Sequence, residues 1–136
     1  MTGAQINEST LTTVPTATRA KTLPALKWHD VTLMNGWTNY AAGVERPAAY
    51  AVDAQGIVHL RGAIRSGTSG VPAFALPAGL VPAGLDIDVS TICGPVGDTC
   101  YLDVSDNTVT PNDSGTADPG SVANYTSLEG VTLDSH

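Results

Sequence analysis

Residues Ala49–Ile64, AYAVDAQGIVHLRGAI, carry the clearest structural pattern in the chain. At the centre of this stretch, Asp53–Gly56 has the composition of a tight turn, because Asp makes local hydrogen bonds and Gly tolerates positive φ. After the turn, apolar and polar residues alternate with the period of two that a half-buried strand requires. The alternation places two sets of side chains on opposite faces: Val58, Leu60 and Ile64 against His59 and Arg61. The stretch therefore predicts a β-hairpin with one buried and one solvated face.

Short segments of the same kind recur along the chain. Pro72, Pro77 and Pro82 exclude a helix between them, because each removes a backbone donor. Besides the hairpin, we expect further short strands: Val31–Met34, Ile87–Ile92, Thr99–Val104, Thr108–Thr110, Val122–Tyr125 and Leu128–Leu133. About seven or eight strands without βαβ spacing are typical of an all-β, antiparallel β-sandwich or jelly roll.

The composition fits one β domain with an aliphatic core. A chain of 136 residues supports a single core. Charged residues make up 14% and aromatic residues 5%, while 14 glycines and 9 prolines interrupt the apolar runs and disfavour long helices. Residues 1–24 are rich in Thr and Ala and lack periodicity, so we predict an extended leader there and the β domain over 25–136. Three apolar leader residues would be buried if several copies ran side by side: Ile6, Leu11 and Val14.

Charge and motif content exclude several functional classes. With a net charge of −7, the chain lacks the Lys and Arg that binding to nucleic acid or an anionic membrane requires. No stretch approaches the ~20 apolar residues of a membrane-spanning helix, and the start, MTGAQINEST, has neither the basic nor the apolar region of a secretory signal. We therefore expect no membrane insertion. The sequence also holds no P-loop, HExxH or dinucleotide fingerprint, so we expect no cofactor.

Four motifs follow one another along the β domain: W-x-x-V-T-L-x-N-G-W at Trp28–Trp37, A-Y-x-V-D-x-x-G-x-V-x-L-R-G at Ala49–Gly62, F-x-L-P-A-G-L-x-P at Phe74–Pro82 and S-L-E-G-V-T-L at Ser127–Leu133. In this order they resemble the C-terminal domains of phage tail fibre and minor tail proteins. The leader carries I-N-E-S-T-L-x-T-V-P-x-A at Ile6–Ala17, which is similar to a segment of actinobacterial and actinophage fibre-like proteins.

The resemblance implies a homotrimeric β-sandwich knob at the distal tip of a fibre, which attaches the particle to a host cell. It implies three kinds of partner: sister subunits, other tail or baseplate proteins held through the leader, and a polysaccharide of the host cell surface. The protein would belong to a virion tail, or to the fibre tip of a contractile injection particle, and would be assembled in the host cytoplasm. Binding residues in such knobs follow no shared motif, so the resemblance assigns none.

Candidate receptor-binding residues therefore come from chemistry and position. Exposed aromatic rings stack well on sugars, and Tyr101 and Tyr125 lie near the long polar segment 105–121. Four polar candidates lie within that segment: Asp106, Asn107, Asn112 and Asp113. The remaining large aromatics are expected to fill the core or the subunit interface: Trp28, Trp37, Tyr40 and Tyr50.

Two features leave alternatives open. Cys93 and Cys100 flank a turn, where they either form a disulfide across the hairpin or remain reduced, half-buried thiols. The late segment offers many oxygen ligands, but its spacing does not match an EF-hand loop and acidic loops are usually solvated, so we assign no metal. Asp86 and Asp88 share one face of a predicted strand, where we expect them to face solvent.

Three functions agree with the sequence. A receptor-binding tip forms trimers that bind host cells or wall glycan and leave the glycan intact. A structural cap forms trimers that terminate a fibre without binding the host. A glycan depolymerase would bring two carboxylates together in space, while the nearest candidate for a nucleophile elbow, Gly67–Val71, fails the G-x-S-x-G pattern at its last position. We predict the first function, without enzymatic activity.

Overall fold

The computed structural model describes residues 24–95 and 97–134, which form two antiparallel sheets around one core. The elements are β1 His29–Asp30, β2 Thr38–Asn39, β3 Ala49–Val52, β4 Val58–Arg61, β5 Ala63–Arg65, β6 Phe74–Ala75, β7 Asp86–Cys93, β8 Asp98–Ser105, β9 Thr108–Asn112, the short helix α1 Ser121–Asn124, β10 Thr126–Ser127 and β11 Thr132–Leu133. The small sheet has the strand order β1-β3-β4-β11, and the large sheet has the order β2-β5-β10-β7-β8-β9-β6. The predicted all-β sandwich is confirmed. Among the described residues, no helix is long and apolar enough to cross a bilayer.

The decisive hairpin forms as predicted, but the chain leaves its sheet directly after the second arm. β3 pairs with β4 in the small sheet, whereas β5 pairs with β2 and β10 in the large sheet. The switch occurs at Gly62, which has φ 96°. A Cβ there would lie 2.6 Å from the carbonyl oxygens of Arg46 and Pro47, so this close approach requires glycine. Ile64 was predicted on the same strand as Leu60. It lies instead on β5 of the large sheet, and its side chain is buried in the core.

The core between the sheets is mostly aliphatic, as the composition predicts. Its largest fully buried side chains are Phe74, Leu60, Ile64, Leu102, Leu128 and Leu133. Trp37 is 3% exposed and donates its indole N–H to the carbonyl of Val71 at 3.0 Å. A Cβ at Gly67 would lie 1.9 Å from the Trp37 ring. The ring and the backbone are therefore packed without space between them, and the predicted core position of Trp37 is confirmed.

The strands β7, β8 and β9 make the most regular part of the fold. β7 and β8 pair without interruption from Asp86↔Ser105 to Cys93↔Asp98. The inner face of β7 carries Ile87, Val89 and Thr91, and the outer face carries Asp86, Asp88, Ser90 and Ile92. This alternation matches the sequence prediction, and it leaves the outer face of the large sheet polar.

Residues 31–34 do not form the strand that the sequence predicts. The N–H of Val31 donates to the carbonyl of Ala48 at 3.0 Å, and the N–H of Met34 donates to the carbonyl of Ala73 at 2.9 Å. Ala48 precedes a strand of the small sheet, whereas Ala73 precedes a strand of the large sheet. The segment therefore crosses between the sheets, and β1 and β2 form on either side of it.

The two predicted C-terminal strands are also changed. The strand predicted at Val122–Tyr125 is wrong, because the Asp113 carboxylate accepts the N–H groups of Gly120 at 2.9 Å and Val122 at 3.0 Å and holds the chain in the helical turn α1. The strand predicted at Leu128–Leu133 is interrupted by a turn that contains Gly130, at φ 75°. Only its last two residues form a strand, β11 in the small sheet, and β10, which precedes the predicted strand, lies in the large sheet.

Candidate functional site

An open cleft of about 600 Å³ lies where β5, β10 and β7 meet on the outer face of the large sheet. We call it the tyrosine cleft. The described residues that line it are Tyr40, Glu45, Arg65, Ile92, Asn124 and Tyr125, with Gly94, Pro95 and Gly97 of the turn between β7 and β8. The cleft combines aromatic, aliphatic, charged and amide groups in one concave surface.

Separate elements bring these residues together. Tyr40 follows β2, where its N–H donates to the carbonyl of Ala63 at 2.9 Å. Arg65 ends β5, Asn124 ends α1, and Tyr125 follows α1 in extended conformation. Since β2, β5, β10 and β7 are neighbours in the large sheet, residues far apart in sequence meet here.

The two tyrosine rings form the centre of the cleft. The rings of Tyr40 and Tyr125 pack edge to face, with centroids 5.0 Å apart and an interplanar angle of 88°, a favoured aromatic geometry. The guanidinium carbon of Arg65 lies 5.5 Å from the centre of the Tyr40 ring, within the range of a cation–π contact. Both tyrosines remain partly accessible, and Ile92 is 59% exposed. A partly apolar surface is thus framed by hydrogen-bonding groups.

The loop that carries Glu45 is anchored to the body of the domain. The guanidinium of the next residue, Arg46, donates to both carboxylate oxygens of Glu129, at 3.1 and 3.2 Å. Glu129 also accepts the N–H of Gly62 at 3.1 Å. Because Gly62 packs directly against the backbone of Arg46 and Pro47, this wall of the cleft is held by the point at which the chain changes sheets.

A disulfide joins the hairpin that forms the opposite wall. The Sγ atoms of Cys93 and Cys100 are bonded, with their Cα atoms 5.8 Å apart. Both side chains are buried on the inner face of β7 and β8. Of the two states that the sequence leaves open, the structure has the bridge, and it closes the hairpin beside the turn that lines the cleft.

A second cluster on the same outer face has a different character. The carboxylates of Asp86, Asp88 and Asp103, which we call the acidic patch, have oxygens within 4.8 Å of one another. Asp88 and Asp103 are direct cross-strand partners. Burial raises the pKa of Asp103, and the hydrogen bond and charge of Asp86 raise it further. One Asp103 oxygen, Oδ1, is buried without a hydrogen-bond partner. The patch is thus a site of electrostatic repulsion, and three carboxylates alone do not establish a metal site.

The six predicted receptor-binding residues do not form one site. Tyr125 lines the tyrosine cleft. Tyr101 and Asn112 are cross-strand partners on β8 and β9, and the amide of Asn112 donates to the carbonyl of Thr110 at 3.1 Å. Tyr101 faces outward on the same strand as Asp103, so this pair borders the acidic patch.

The other three predicted residues lie in turns. Asp106 is exposed in the turn between β8 and β9, with φ 48°. Asn107 follows it and accepts the N–H of Val81 at 2.9 Å through its side-chain oxygen. Asp113 accepts the two N–H groups that fix α1. The side-chain oxygens of Asn107 and Asp113 therefore organise the chain around them.

Of the remaining aromatic residues, Trp28 and Tyr50 pack against neighbouring side chains of the small sheet, and Tyr40 lies in the cleft. The guanidinium carbon of Arg61 lies 4.5 Å from the Trp28 ring, and His29 stacks on Tyr50 with centroids 5.2 Å apart. Tyr40, expected in the core or the subunit interface, is half-buried and lines the cleft.

Four further cleft residues have no sequence signal: Glu45, Arg65, Ile92 and Asn124. Their proximity depends on strand order, which local patterning does not reveal.

Comparison with known proteins shows a structural relative. No family model matches the chain, and no curated protein matches its sequence. The fold is similar to the crystal structure of the receptor binding protein (gp15) of Listeria phage PSA, with a TM-score of 0.63 over 96% of this chain and 76% of that chain. The two sequences are 19% identical. At this identity the likeness establishes a shared fold.

Proposed function

We propose that this protein is the receptor-binding tip of a phage tail, or of a phage-like particle, and attaches it to the host by binding a cell-surface polysaccharide. The fold agrees with this role, since the similarity to a phage receptor binding protein extends over 96% of the chain. The order of the four sequence motifs supports the same role independently. A protein with this function would be located in the virion tail.

The observation that carries the polysaccharide proposal is the tyrosine cleft. Sugars present both apolar C–H faces and hydroxyl groups, so a site for them needs aromatic surface beside hydrogen-bond donors and acceptors. Tyr40, Tyr125 and Ile92 supply the apolar surface, and Glu45, Arg65 and Asn124 supply the polar groups. The cleft is open, which suits a segment within a long polymer better than a small molecule enclosed on all sides.

We further propose that the tip is a homotrimer joined to other tail proteins through the leader, residues 1–24. Trimeric display multiplies a weak contact, because linked sites raise the apparent affinity for a repetitive polymer without new contacts. The proposal rests on the sequence resemblance, and residues 1–23 lie outside the described residues.

The proposal is tested by incubating the intact protein with purified cell walls from a panel of bacteria. The walls are then sedimented, the bound protein is measured, and the supernatant is chromatographed for released sugar fragments. We expect saturable binding to the walls of one group of hosts, with no fragments released over hours. Absence of binding to every wall would favour a structural cap, and released fragments would identify a depolymerase.

The oligomeric state is measured separately, by the mass of the purified protein in solution. A mass of three chains supports the trimer. A monomer that still binds walls would contradict the trimer and leave the receptor-binding role in place.

A further inference from the structure

The two charged side chains of the tyrosine cleft balance each other. Among the described residues that line it, Glu45 carries a negative charge and Arg65 a positive one, and the others are neutral. Glu45 is half-buried and Arg65 is exposed. Within the described chain neither takes part in a salt bridge, and the Arg65 guanidinium lies beside the Tyr40 ring. The cleft therefore offers one unpaired anion and one unpaired cation, and its charges cancel.

The other cations of the domain do not gather at the cleft. Besides Arg65, the described chain contains three Lys or Arg residues: Lys27, Arg46 and Arg61. Lys27 precedes β1 and Arg61 ends β4, both in the small sheet. The Arg46 guanidinium donates to both carboxylate oxygens of Glu129 and is thereby neutralised. An anionic ligand would therefore meet one available cation in the cleft, Arg65.

Acidic groups lie around the cleft. Asp98 begins β8 directly after the turn that lines the cleft, and its Oδ2 lies 3.1 Å from the position of a Cβ at Gly94. On the outer face of β7, Asp88 of the acidic patch lies four residues from Ile92, roughly 13 Å along the strand. The described chain carries 12 of the 13 acidic residues and 4 of the 6 Lys and Arg residues. A polymer with a negative charge on each repeat would therefore be repelled beyond Arg65.

We infer that the tyrosine cleft binds an uncharged segment of polysaccharide, whose hydroxyl groups donate to Glu45 and accept from Arg65. This inference rests on the proposed receptor-binding function and specifies its ligand. A hydroxyl group both donates and accepts hydrogen bonds, so neighbouring hydroxyls of one sugar use both charged groups. Hydrogen bonds in which one partner is ionised are shorter and stronger than neutral ones. A neutral sugar thus makes strong contacts with both groups and leaves no like charges together.

A charged segment would be opposed by one of the same two groups. A phosphate or carboxylate paired with Arg65 would lie in one cleft with Glu45, and an ammonium group paired with Glu45 would lie in one cleft with Arg65. In each case the repulsion between like charges offsets the attraction. The tyrosine rings and Ile92 offer the same apolar surface to every kind of sugar. The charged pair therefore determines which class of polysaccharide binds.

Two polymer fractions from the walls of one bound host test the inference. The neutral polysaccharide is separated from the polyanionic polymers by anion exchange, and the affinity of the intact protein for each fraction is measured. We expect saturable binding to the neutral fraction, with an affinity that changes less than about twofold between roughly 0.05 and 0.5 M NaCl, because salt screens interactions between charges.

The alternative outcomes separate this inference from the function on which it rests. Stronger binding to the polyanionic fraction would overturn the neutral ligand and leave the receptor-binding role in place. Binding to neither fraction would overturn both the neutral ligand and the polysaccharide-binding function.

Substitutions of the charged pair give effects whose sign depends on the charge of the ligand. Glu45→Gln and Arg65→Gln each remove one charge and keep a side chain that hydrogen-bonds. For a neutral ligand both should weaken binding by about threefold or more, because each replaces a hydrogen bond to an ionised group by a neutral one. Glu45→Gln would strengthen binding of an anionic ligand, and Arg65→Gln would strengthen binding of a cationic one. Either gain would overturn the inference, as would an affinity that neither substitution changes.

A matched control removes a negative charge elsewhere. Asp30→Asn alters the net charge as Glu45→Gln does, but Asp30 is exposed on β1 of the small sheet. We expect this variant to bind the neutral fraction as the unaltered protein does. A loss equal to that of Glu45→Gln would show that net charge, and not the cleft, sets the affinity, and would contradict the inference.

Discussion

The tyrosine cleft and the acidic patch lie on the outer face of the same sheet, but their side chains interact in opposite ways. In the cleft, Tyr40 and Tyr125 pack against each other and Arg65 lies beside a ring, so the groups support one another. In the acidic patch, carboxylates within 4.8 Å repel, and one oxygen of Asp103 has no partner. The cleft is a preformed surface, whereas the patch costs stability.

The difference indicates where each region obtains its support. The cleft depends on non-local contacts, because its walls belong to the loop before β3, the end of α1 and the turn after β7. The acidic patch depends on one continuous pairing of β7 with β8, which forms regardless of the repulsion. We therefore expect substitutions that disturb the sheet switch to damage the cleft first, and substitutions in the patch to raise stability.

The largest effect is expected for Gly62→Ala. The added Cβ would meet the carbonyl oxygens of Arg46 and Pro47 at 2.6 Å, in a backbone with φ 96°, so we expect a loss of about 3 kcal/mol or more in the free energy of unfolding. Gly79→Ala is the matched control, with φ 87° and nothing within 4 Å of the added Cβ, and should cost about 1 kcal/mol. Denaturant unfolding measures both, and equal losses would contradict the account of the sheet switch.

The next largest effect concerns the disulfide beside the cleft. Replacing Cys93 and Cys100 together by Ala should lower the free energy of unfolding by about 2 kcal/mol, because the bridge closes a short loop in the unfolded chain. Hydrogen exchange should accelerate at Gly94 and Gly97 more than at the acidic end of the hairpin. Reductant should reproduce the loss in the unaltered protein and leave the variant unchanged. An unchanged free energy in the variant would contradict the prediction.

A smaller effect of opposite sign is expected for Asp103→Asn. Removing one of the opposed charges should raise the free energy of unfolding at pH 7 by about 0.5–1 kcal/mol. The pKa of Asp103 is raised in the folded protein, so the folded state binds a proton more readily than the unfolded chain and the unaltered protein gains stability as the pH falls through that pKa. The advantage of the variant should therefore shrink on acidification. Asp118→Asn, exposed in a loop, is the control, and an advantage that persists at low pH would contradict the repulsion.

The regular hairpins could be predicted because their information is local. Residues 87–92 alternate clearly and a glycine-containing turn follows, so strand, register of faces and turn all come from neighbouring residues. The turn at Asp53–Gly56 follows the same rule. The predicted secondary structure was wrong where a group distant in sequence determines the conformation. The Asp113 carboxylate, for example, holds Val122 in a helical turn where a strand was predicted.

The candidate site was predictable only in part. Tyr125 could be found as an aromatic residue near a polar segment, but its partner Tyr40 lies 85 positions earlier in the chain. Their contact follows from β5 leaving the hairpin sheet at Gly62 and pairing between β2 and β10. The alternation of apolar and polar residues is equally compatible with β4 continuing to Ile64 and with a new strand after Gly62, so the sequence pattern does not reveal the switch.

If the tyrosine cleft is the receptor site, Tyr125→Ala must weaken binding to purified wall polysaccharide of a bound host. We expect its affinity to fall about tenfold or more, with Tyr101→Ala, an outward tyrosine beyond the cleft, binding as the unaltered protein does. If Tyr101→Ala lost affinity and Tyr125→Ala retained it, the receptor site would lie beside the acidic patch and the claim would be wrong.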